Sequence, residues 1–281
     1  MSRDVKDGII GTNVTVAYRN GTVGLRNANF EIPLGSISAL VGINGAGKST
    51  LFKAIMGFVT ASTGSISLFG EPVHRALKNN IIAYVPQAEE VDWTFPVLVD
   101  DVVMMGRYGQ MNWLRIPRVK DEEAVSRALS EVGMLEFRDR QIGELSGGQR
   151  KRVFLARALA QNTKVILLDE PFMGVDVQTE DTIITLLKKM KREGRLIVVA
   201  THNLGSVPQF CDHTILVKET VLAFGPTKTT FTPKNLEKAF GGVLRHFVLG
   251  GSDLHEDEDS RQVTVISDDE RPLVLYSKDD P

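Results

Sequence analysis

The sequence predicts an α/β fold, because short β-rich runs alternate with helical periods along most of its 281 residues. Continuous apolar runs at Ile37–Val41 and Val165–Leu168 have the composition of buried strands. A helix over 178–192 is indicated by apolar residues at helical spacing, with acidic residues at its start and basic residues at its end. The chain is 42% hydrophobic and 24% charged, which excludes a disordered protein, a collagen-like fibre and a disulfide scaffold.

The N-terminal part predicts a β-subdomain that leads into the core. Residues 9–18 and 23–34 have strand patterns around an Asn20-Gly21 turn, which favours an antiparallel hairpin. The buried strand Ile37–Val41 follows, and then a glycine-rich stretch. Further elements predicted here are a helix over 48–56 and strands over 65–69 and 81–86.

Residues 88–145 predict a helical insertion, because the buried-strand pattern gives way to charged helical periods. The two helical segments are Val97–Met105 and Asp121–Val132. The core pattern then returns with a helix from Ser146, a strand at Val165–Leu168, the helix over 178–192 and a strand at Leu196–Thr201.

Composition narrows the class of protein further. The net charge is −2, so no basic excess indicates a nucleic-acid partner. Cys211 is the single cysteine, which excludes an internal disulfide, and with five scattered histidines we expect no structural zinc site. No apolar run approaches the roughly 18 residues of a membrane helix, and the N-terminus lacks the apolar region of a secretory signal. We therefore expect a cytoplasmic protein that does not itself span a membrane.

The C-terminal residues 253–281 are strongly acidic. Ten acidic and three basic residues give −7, which leaves +5 on the rest of the chain. We expect a flexible, solvated extension, although alternating apolar residues at 263–265 and 273–275 permit short strands. Two alternatives are contact with the basic remainder of this or a partner subunit, and a sensor of cytoplasmic Mn²⁺ or Fe²⁺ that uses carboxylates and His255.

A phosphate-binding loop is predicted between the strand at Ile37–Val41 and the next helix. Its sequence fits the pattern G-x-x-x-x-G-K-[ST], in which backbone N–H groups surround phosphate oxygens. Lys48 would reach the β- and γ-phosphates, and the Ser49 hydroxyl would bind Mg²⁺. These features indicate ATP and Mg²⁺ as ligands. The residues assigned to this loop are Gly42, Asn44, Gly45, Ala46, Gly47, Lys48, Ser49 and Thr50.

Two carboxylates end the apolar strand at Val165–Leu168. Ligands of open α/β sheets bind at the carboxyl ends of the strands. Asp169 would therefore hold Mg²⁺, directly or through water, and Glu170 would act as the general base on the attacking water.

A third motif is Leu145–Gln149, which we call the signature segment. Ser146 and Gln149 have the spacing of a helix capping box. A cap does not require the glycines at 147 and 148, and these would let backbone N–H groups approach a second anion. Together the three motifs resemble the ATP-binding-cassette (ABC) family over residues 8–245. The resemblance implies a RecA-like P-loop ATPase core with an N-terminal antiparallel β-subdomain and a helical insertion.

The resemblance assigns further roles. Tyr18 corresponds to the aromatic residue that stacks on adenine, and Gln87 to the glutamine that contacts Mg²⁺ and the attacking water. His202 corresponds to the histidine that contacts the γ-phosphate, and Asp176 to the aspartate of a loop that crosses between subunits. That loop here reads Met-Gly-Val-Asp over 173–176, and not the commoner Ser-Ala-Leu-Asp.

Family members pair head to tail, which implies a second copy of this chain as partner. Each ATP then lies between the phosphate loop of one copy and the residues Ser146, Gly147, Gly148 and Gln149 of the other. Residues 90–109, with 201–205 and 242–246, resemble the ATPases of bacterial manganese, zinc and iron importers, most nearly those of chelated-iron/manganese systems. This implies import of Mn²⁺ or Fe²⁺ at the cytoplasmic face of the inner membrane, through a separate permease supplied by an extracytoplasmic metal-binding protein.

Exposed aromatic residues of the insertion, Trp93, Phe95 and Trp113, would suit a docking patch for the permease, although a small local core is an equal alternative. Other candidate functions are a zinc, haem or siderophore import ATPase, a non-transport ABC protein acting on DNA or ribosomes, and an interaction-only protein without activity. The single phosphate loop and the absence of heptads count against the second. The presence of Lys48, Glu170 and His202 counts against the third.

Overall fold

The computed structural model describes residues 8–87 and 95–241 with their side chains, and the backbone of three further strands at 245–249, 263–267 and 273–276. The predicted α/β class is confirmed. The strands are β1 Gly8–Ala17, β2 Val23–Pro33, β3 Ile37–Val41, β4 Thr63–Leu68, β5 Glu71–Pro72, β6 Ile82–Val85, β7 Val165–Asp169, β8 Leu196–Thr201, β9 His213–Lys218, β10 Thr220–Pro226, β11 Arg245–Leu249, β12 Val263–Ser267 and β13 Leu273–Tyr276.

Helices connect these strands. The α-helices are α1 Lys48–Ile55, α2 Val73–Ala76, α3 Val99–Met104, α4 Val119–Glu131, α5 Gly147–Gln161, α6 Val177–Arg192, α7 Val207–Phe210, α8 Thr227–Thr230 and α9 Pro233–Phe240. Short 3-10 helices lie at Leu77–Asn79, Met105–Gln110, Leu135–Phe137 and Ile142–Glu144. In the ranges 8–87 and 95–241 no helix is both long and apolar enough to cross a bilayer.

The central sheet has the strand order β10-β9-β3-β8-β7-β6. Its strands pair in parallel except for β10, which is antiparallel to β9. Every residue of β3, β7 and β8 is buried, as expected for a parallel sheet covered on both faces. The carboxyl ends of these strands therefore bring the segments that follow Val41, Leu168 and Thr201 to the same edge.

The second sheet, of order β2-β1-β4-β5, is antiparallel. The predicted hairpin is confirmed, with Ile9 opposite Ile32 and a connection over 18–22 in which Gly21 has a φ of 85°. Ile9, Phe30 and Ile32 belong to the same buried cluster as residues of α1. This packing holds the hairpin beside the phosphate loop.

Helices α3 and α4 lie in the predicted insertion, and they pack against α5, which follows it. Apolar side chains of all three share one buried cluster, which extends to the central sheet. A buried ion pair adds to this packing, because Nε of Arg107 lies 3.0 Å from Oδ1 of Asp121, and Nη1 of Arg107 donates to the carbonyl of Ala160 at 2.8 Å. The predicted helix at Val97–Met105 is confirmed in a shorter form, because α3 begins at Val99 and ends at Met104.

The C-terminal strands form a third sheet of order β11-β12-β13. All pairings are antiparallel, with Phe247 opposite Val265 and Val265 opposite Val274. Strands thus occur where alternating apolar residues permitted them. The division of the chain after residue 245 stays a prediction, although that boundary falls at the first residue of β11. The clusters of acidic residues between the strands lie outside the described residues.

Candidate active site

A cleft of about 340 Å³ lies at the carboxyl edge of the central sheet. Its lining brings together residues predicted from separate motifs: Tyr18, Asn44, Gly45, Gly47, Lys48, Ser49, Thr50, Gln87, Asp169, Glu170 and His202. Sequence reasoning missed five further lining residues: Thr22, Val23, Gly24, Ile43 and Met173. Thr22, Val23 and Gly24 belong to the hairpin, so the β-subdomain forms one wall.

The phosphate loop joins β3 to α1 and needs its glycines. Gly45 and Gly47 have φ values of 80° and 107°, a region that other residues rarely occupy. A Cβ atom at Gly47 would lie 2.7 Å from the carbonyl oxygen of Gly24, and one at Gly42 would lie 2.3 Å from that of Val217. Gly42 and Ala46 therefore support the loop from behind and do not line the cleft.

Lys48 is held inside this loop. Its Nζ donates to the carbonyl oxygens of Gly42 at 2.6 Å and Ile43 at 3.3 Å. Burial lowers the pKa of the Lys48 ammonium, while the nearby carboxylates of Glu170 and Asp169 raise it by a smaller amount. A positive group thus lies at the start of α1, beside the exposed hydroxyl-bearing residue Ser49.

Asp169 is the last residue of β7 and Glu170 follows it; the two residues are 6% and 7% exposed. The hydroxyl of Tyr84, on the adjacent strand β6, lies 3.4 Å from Oδ2 of Asp169. Glu170 has a φ of 47°, and its backbone N–H donates to the carbonyl of Ala200 at 3.0 Å. A non-glycine residue in this conformation costs free energy, and such strain concentrates at functional sites.

His202 follows β8 and meets Glu170. Its Nδ1 lies 2.9 Å from Oε1 of Glu170. Since β7 and β8 are parallel neighbours, with Asp169 opposite Ala200, the residues that follow them are adjacent at the sheet edge. A carboxylate and an imidazole therefore lie together in the cleft that Lys48 of the phosphate loop also lines.

Gln87 and Met173 close another side of the cleft. Nε2 of Gln87 lies 3.7 Å from Sδ of Met173. Met173 is the first residue of the Met-Gly-Val-Asp loop and replaces the commoner serine. Its sulfur contacts Gln87, which is a predicted site residue. Lys151 of α5 donates to the carbonyl oxygens of Glu170, at 3.1 Å, and Met173.

Tyr18 is the first residue of the hairpin connection, and its hydroxyl is 2.9 Å from Oγ1 of Thr50. This contact ties the aromatic ring to the phosphate loop. Because Tyr18 and Thr50 are 32 residues apart in the sequence, no local pattern predicts this hydrogen bond.

The signature segment lies outside the cleft. The predicted capping box is confirmed, because the N–H of Gln149 donates to Oγ of Ser146 at 3.3 Å and the N–H of Ser146 donates to Oε1 of Gln149 at 2.9 Å. At Gly147 and Gly148, an added Cβ would come no closer than 4.0 Å and 3.5 Å to other atoms. Packing within this chain therefore gives no reason for glycine at either position.

Asp176 also lies outside the cleft and caps α6. Its Oδ1 accepts from the N–H of Thr179 at 2.8 Å and its Oδ2 from the Thr179 hydroxyl at 2.9 Å. These hydrogen bonds lower the pKa of the Asp176 carboxyl. A Cβ atom added at Gly148 would lie 3.9 Å from Oδ2 of Asp176, so the signature segment and this loop are neighbours.

The cleft has oxygen donors suited to a hard cation. Ser49, Gln87 and Asp169 line it together, and hydroxyl, amide and carboxylate oxygens are ligands that Mg²⁺ accepts alongside waters and phosphates. No group of three or more His, Cys, Asp or Glu residues that could hold a metal ion occurs in the ranges with described side chains, so the cation would depend on these mixed oxygen ligands.

Comparison with known proteins identifies the family. The family model for ABC transporters matches residues 25–173. The chelated iron transport system membrane protein YfeB of Yersinia pestis is 61% identical over 279 residues, covering 99% of this chain and 94% of the relative. The manganese transport system ATP-binding protein MntA of Synechocystis is 59% identical over 230 residues, covering 82% and 88%.

A solved structure agrees with these relatives. It is a metal-chelate type ABC transporter in an inward-facing conformation, with a TM-score of 0.76, 28% identity and coverage of 95% of this chain and 98% of that chain. The phosphate loop and the paired carboxylates line one cleft of the α/β fold, as their two motifs predicted, whereas the signature segment lies outside it. The chain therefore belongs to the ABC transporter family, whose ATP-binding subunits hydrolyse ATP.

Proposed function

We propose that this chain is the ATP-hydrolysing subunit of an ABC importer, and that it energises uptake of Mn²⁺ or Fe²⁺ through a separate membrane permease. The observation that carries the proposal is the meeting of Lys48, Glu170 and His202 in one cleft at the carboxyl edge of the sheet. Each follows a different strand, so the cleft combines a phosphate cradle, a base and an imidazole. An interaction-only protein has no need of this arrangement.

Lys48, Glu170 and His202 each have a different role in ATP hydrolysis. Lys48 binds the β- and γ-phosphates of ATP, and backbone N–H groups of the loop residues that line the cleft surround them. Glu170 accepts a proton from the attacking water. His202, 2.9 Å from Glu170, orients that carboxylate and contacts the γ-phosphate.

Mg²⁺ fits the oxygen donors of the cleft. Ser49, Asp169 and Gln87 would hold it, and when bound it neutralises charge that develops on the phosphate oxygens. Burial of Asp169 and its contact with Tyr84 keep that carboxylate in place before any ligand arrives.

Tyr18 provides a stacking surface for adenine. It lines the cleft, and its hydroxyl is anchored on Thr50 of the phosphate loop, so a base on the ring and phosphates on the loop would belong to one nucleotide.

A second copy of the chain completes the site. Glycine at 147 and 148 is unexplained within one chain, because an added Cβ at either meets no close contact. Close approach of an anion from a partner explains both glycines and the exposed position of Ser146 and Gly147. Asp176, next to Gly148, would lie at the same interface. We infer a head-to-tail dimer with two nucleotides at its interface.

The permease would dock on the insertion. Phe95 and Trp113 are 63% and 89% exposed, and large exposed aromatic side chains are typical of interaction surfaces. Trp93 lies outside the described residues. We place the subunit at the cytoplasmic face of the bacterial inner membrane, with an extracytoplasmic metal-binding protein delivering the ion and no nucleic-acid partner.

The choice of metal rests on relatives. YfeB is named for chelated iron transport and MntA for manganese transport. The test is uptake of radiolabelled Mn²⁺ and Fe²⁺ by cells lacking the gene and complemented with wild type, E170Q or empty vector. Uptake that requires wild type supports the proposal. Uptake of zinc, haem or a siderophore under the same dependence, with none of Mn²⁺ or Fe²⁺, would replace it.

A further inference from the structure

Lys151 joins the helix of the signature segment to the turn that carries Glu170. It lies on α5, two residues after Gln149. Its Nζ donates to the carbonyl oxygen of Glu170 at 3.1 Å and also to that of Met173. Both acceptors are main-chain atoms, so the contact fixes the backbone of the turn, whatever side chains the turn carries.

The backbone of Glu170 needs such support. Its φ of 47° is unfavourable for a residue with a side chain and persists where surrounding contacts hold it. The N–H of Glu170 is bound by the carbonyl of Ala200 on β8, and its carbonyl is bound by Lys151 on α5. Both sides of the strained residue are therefore held, each by a different element.

The second carbonyl that Lys151 binds, that of Met173, connects Lys151 to Gln87 on another side of the cleft. Met173 contacts Gln87 through its sulfur atom, at 3.7 Å from Nε2. Because the Lys151 ammonium binds the carbonyl of Met173, it holds the segment against which Gln87 packs. Charge-assisted hydrogen bonds of this kind are stronger than neutral ones.

We propose that Lys151 is a positioning residue for ATP hydrolysis, which holds the Glu170–Met173 turn in its active conformation and makes that conformation depend on the placement of α5. This inference rests on the proposed ATPase function. Since α5 begins at the signature segment, a change in that segment's contacts that moves α5 would also move Lys151 and, through it, the backbone of Glu170.

The test compares Lys151→Met with wild type in purified protein. The methionine keeps most of the aliphatic stem and removes the donor. We expect kcat for ATP hydrolysis to fall about tenfold or more, while the dissociation constant for ATP stays within about twofold, because the phosphate loop is untouched. Lys151→Arg, which keeps a charged donor, is expected to recover most of the rate. Lys188→Met removes a charge from the exposed face of α6 and serves as the matched control.

A double variant separates positioning from an independent effect. If Lys151 acts by positioning the Glu170 carboxylate, adding Lys151→Met to Glu170→Gln will slow single-turnover hydrolysis of radiolabelled ATP by a much smaller factor than adding it to wild type. The remaining loss is the part that acts through Met173 and Gln87. A multiplicative loss would overturn the inference, as would a Lys151→Met enzyme with unchanged kcat. If Lys151→Met is not recovered folded, Lys151→Gln and Lys151→Arg are compared. A lower kcat for the glutamine variant at equal ATP affinity supports positioning, and equal rates overturn it. Absence of hydrolysis by wild type would instead refute the proposed function.

Discussion

Nδ1 of His202 lies 2.9 Å from Oε1 of Glu170, although 31 residues separate them in the chain. The pairing follows from the parallel neighbours β7 and β8, which end at the same edge of the sheet. It means that the orientation of the proposed base depends on an imidazole from another strand. Substitution of either residue should therefore change the orientation of the other side chain.

Substitution of the base separates binding from hydrolysis. Glu170→Gln is nearly isosteric but cannot accept the proton of water, so we expect kcat to fall by about 100-fold or more with ATP affinity retained. The variant should accumulate as an ATP-bound dimer, visible by size-exclusion chromatography with and without ATP. Turnover near the wild-type rate would show that another group is the base.

Removal of the phosphate-loop lysine should remove binding itself. In Lys48→Ala the phosphates lose their buried cation, and we expect ATP affinity to fall about 10- to 100-fold. Lys53→Ala, on the exposed face of the same helix, controls for loss of a charge from α1. Equal ATP affinity in the two variants, measured by calorimetry, would contradict the role of Lys48.

The lowered pKa of Lys48 predicts an alkaline dependence of binding. Burial favours the neutral amine, so the ammonium is present at low pH and is lost at a lower pH than for an ordinary lysine. ATP affinity should therefore decline with rising pH before the ordinary lysine pKa of about 10.4 is reached. Lys48→Arg keeps its charge over this range and should show a flatter profile. Identical profiles for the two proteins would assign the decline to another group.

Loss of the exposed aromatic residues should uncouple the subunit from its permease. Phe95→Ala with Trp113→Ala removes solvent-exposed rings, so basal ATP hydrolysis and the thermal unfolding midpoint should change little. Co-purification with the permease and metal uptake should weaken. An intact complex combined with lost ATPase activity would mean that these side chains support the insertion and do not dock the permease.

The C-terminal sheet determines where the chain should be truncated to test the role of the acidic extension. Cutting after Gly251 would leave β11 without β12 and β13, an unpaired edge that favours aggregation. Deletion from residue 245 removes the sheet as a unit, and ATP hydrolysis and metal uptake should persist, since every residue that lines the cleft lies before it. Loss of uptake, or of its shut-off at high internal metal, would identify the sheet as regulatory.

Local sequence patterns predicted much of the fold, because the apolar runs of β3, β7 and β8 and the glycine pattern of the phosphate loop are each complete within a few residues. The strand Ile37–Val41 was predicted at its observed bounds. Strands β9 and β10 were missed, since β9 is specified by its parallel pairing with the distant β3. The 3.1 Å contact of Lys151 with Glu170 was equally invisible, because it exists only after α5 packs on the sheet.

The open space around Gly147 and Gly148 has a consequence for genetics. Small side chains at these positions would leave the isolated subunit folded and abundant, because an added Cβ atom comes no closer than 3.5 Å to other atoms of the chain. A screen that scores cellular abundance would therefore pass alanine or serine variants at both positions, while selection for growth on scarce metal would reject them. Positions that pass the abundance screen and fail the growth selection would map the surface that contacts a second copy of the chain.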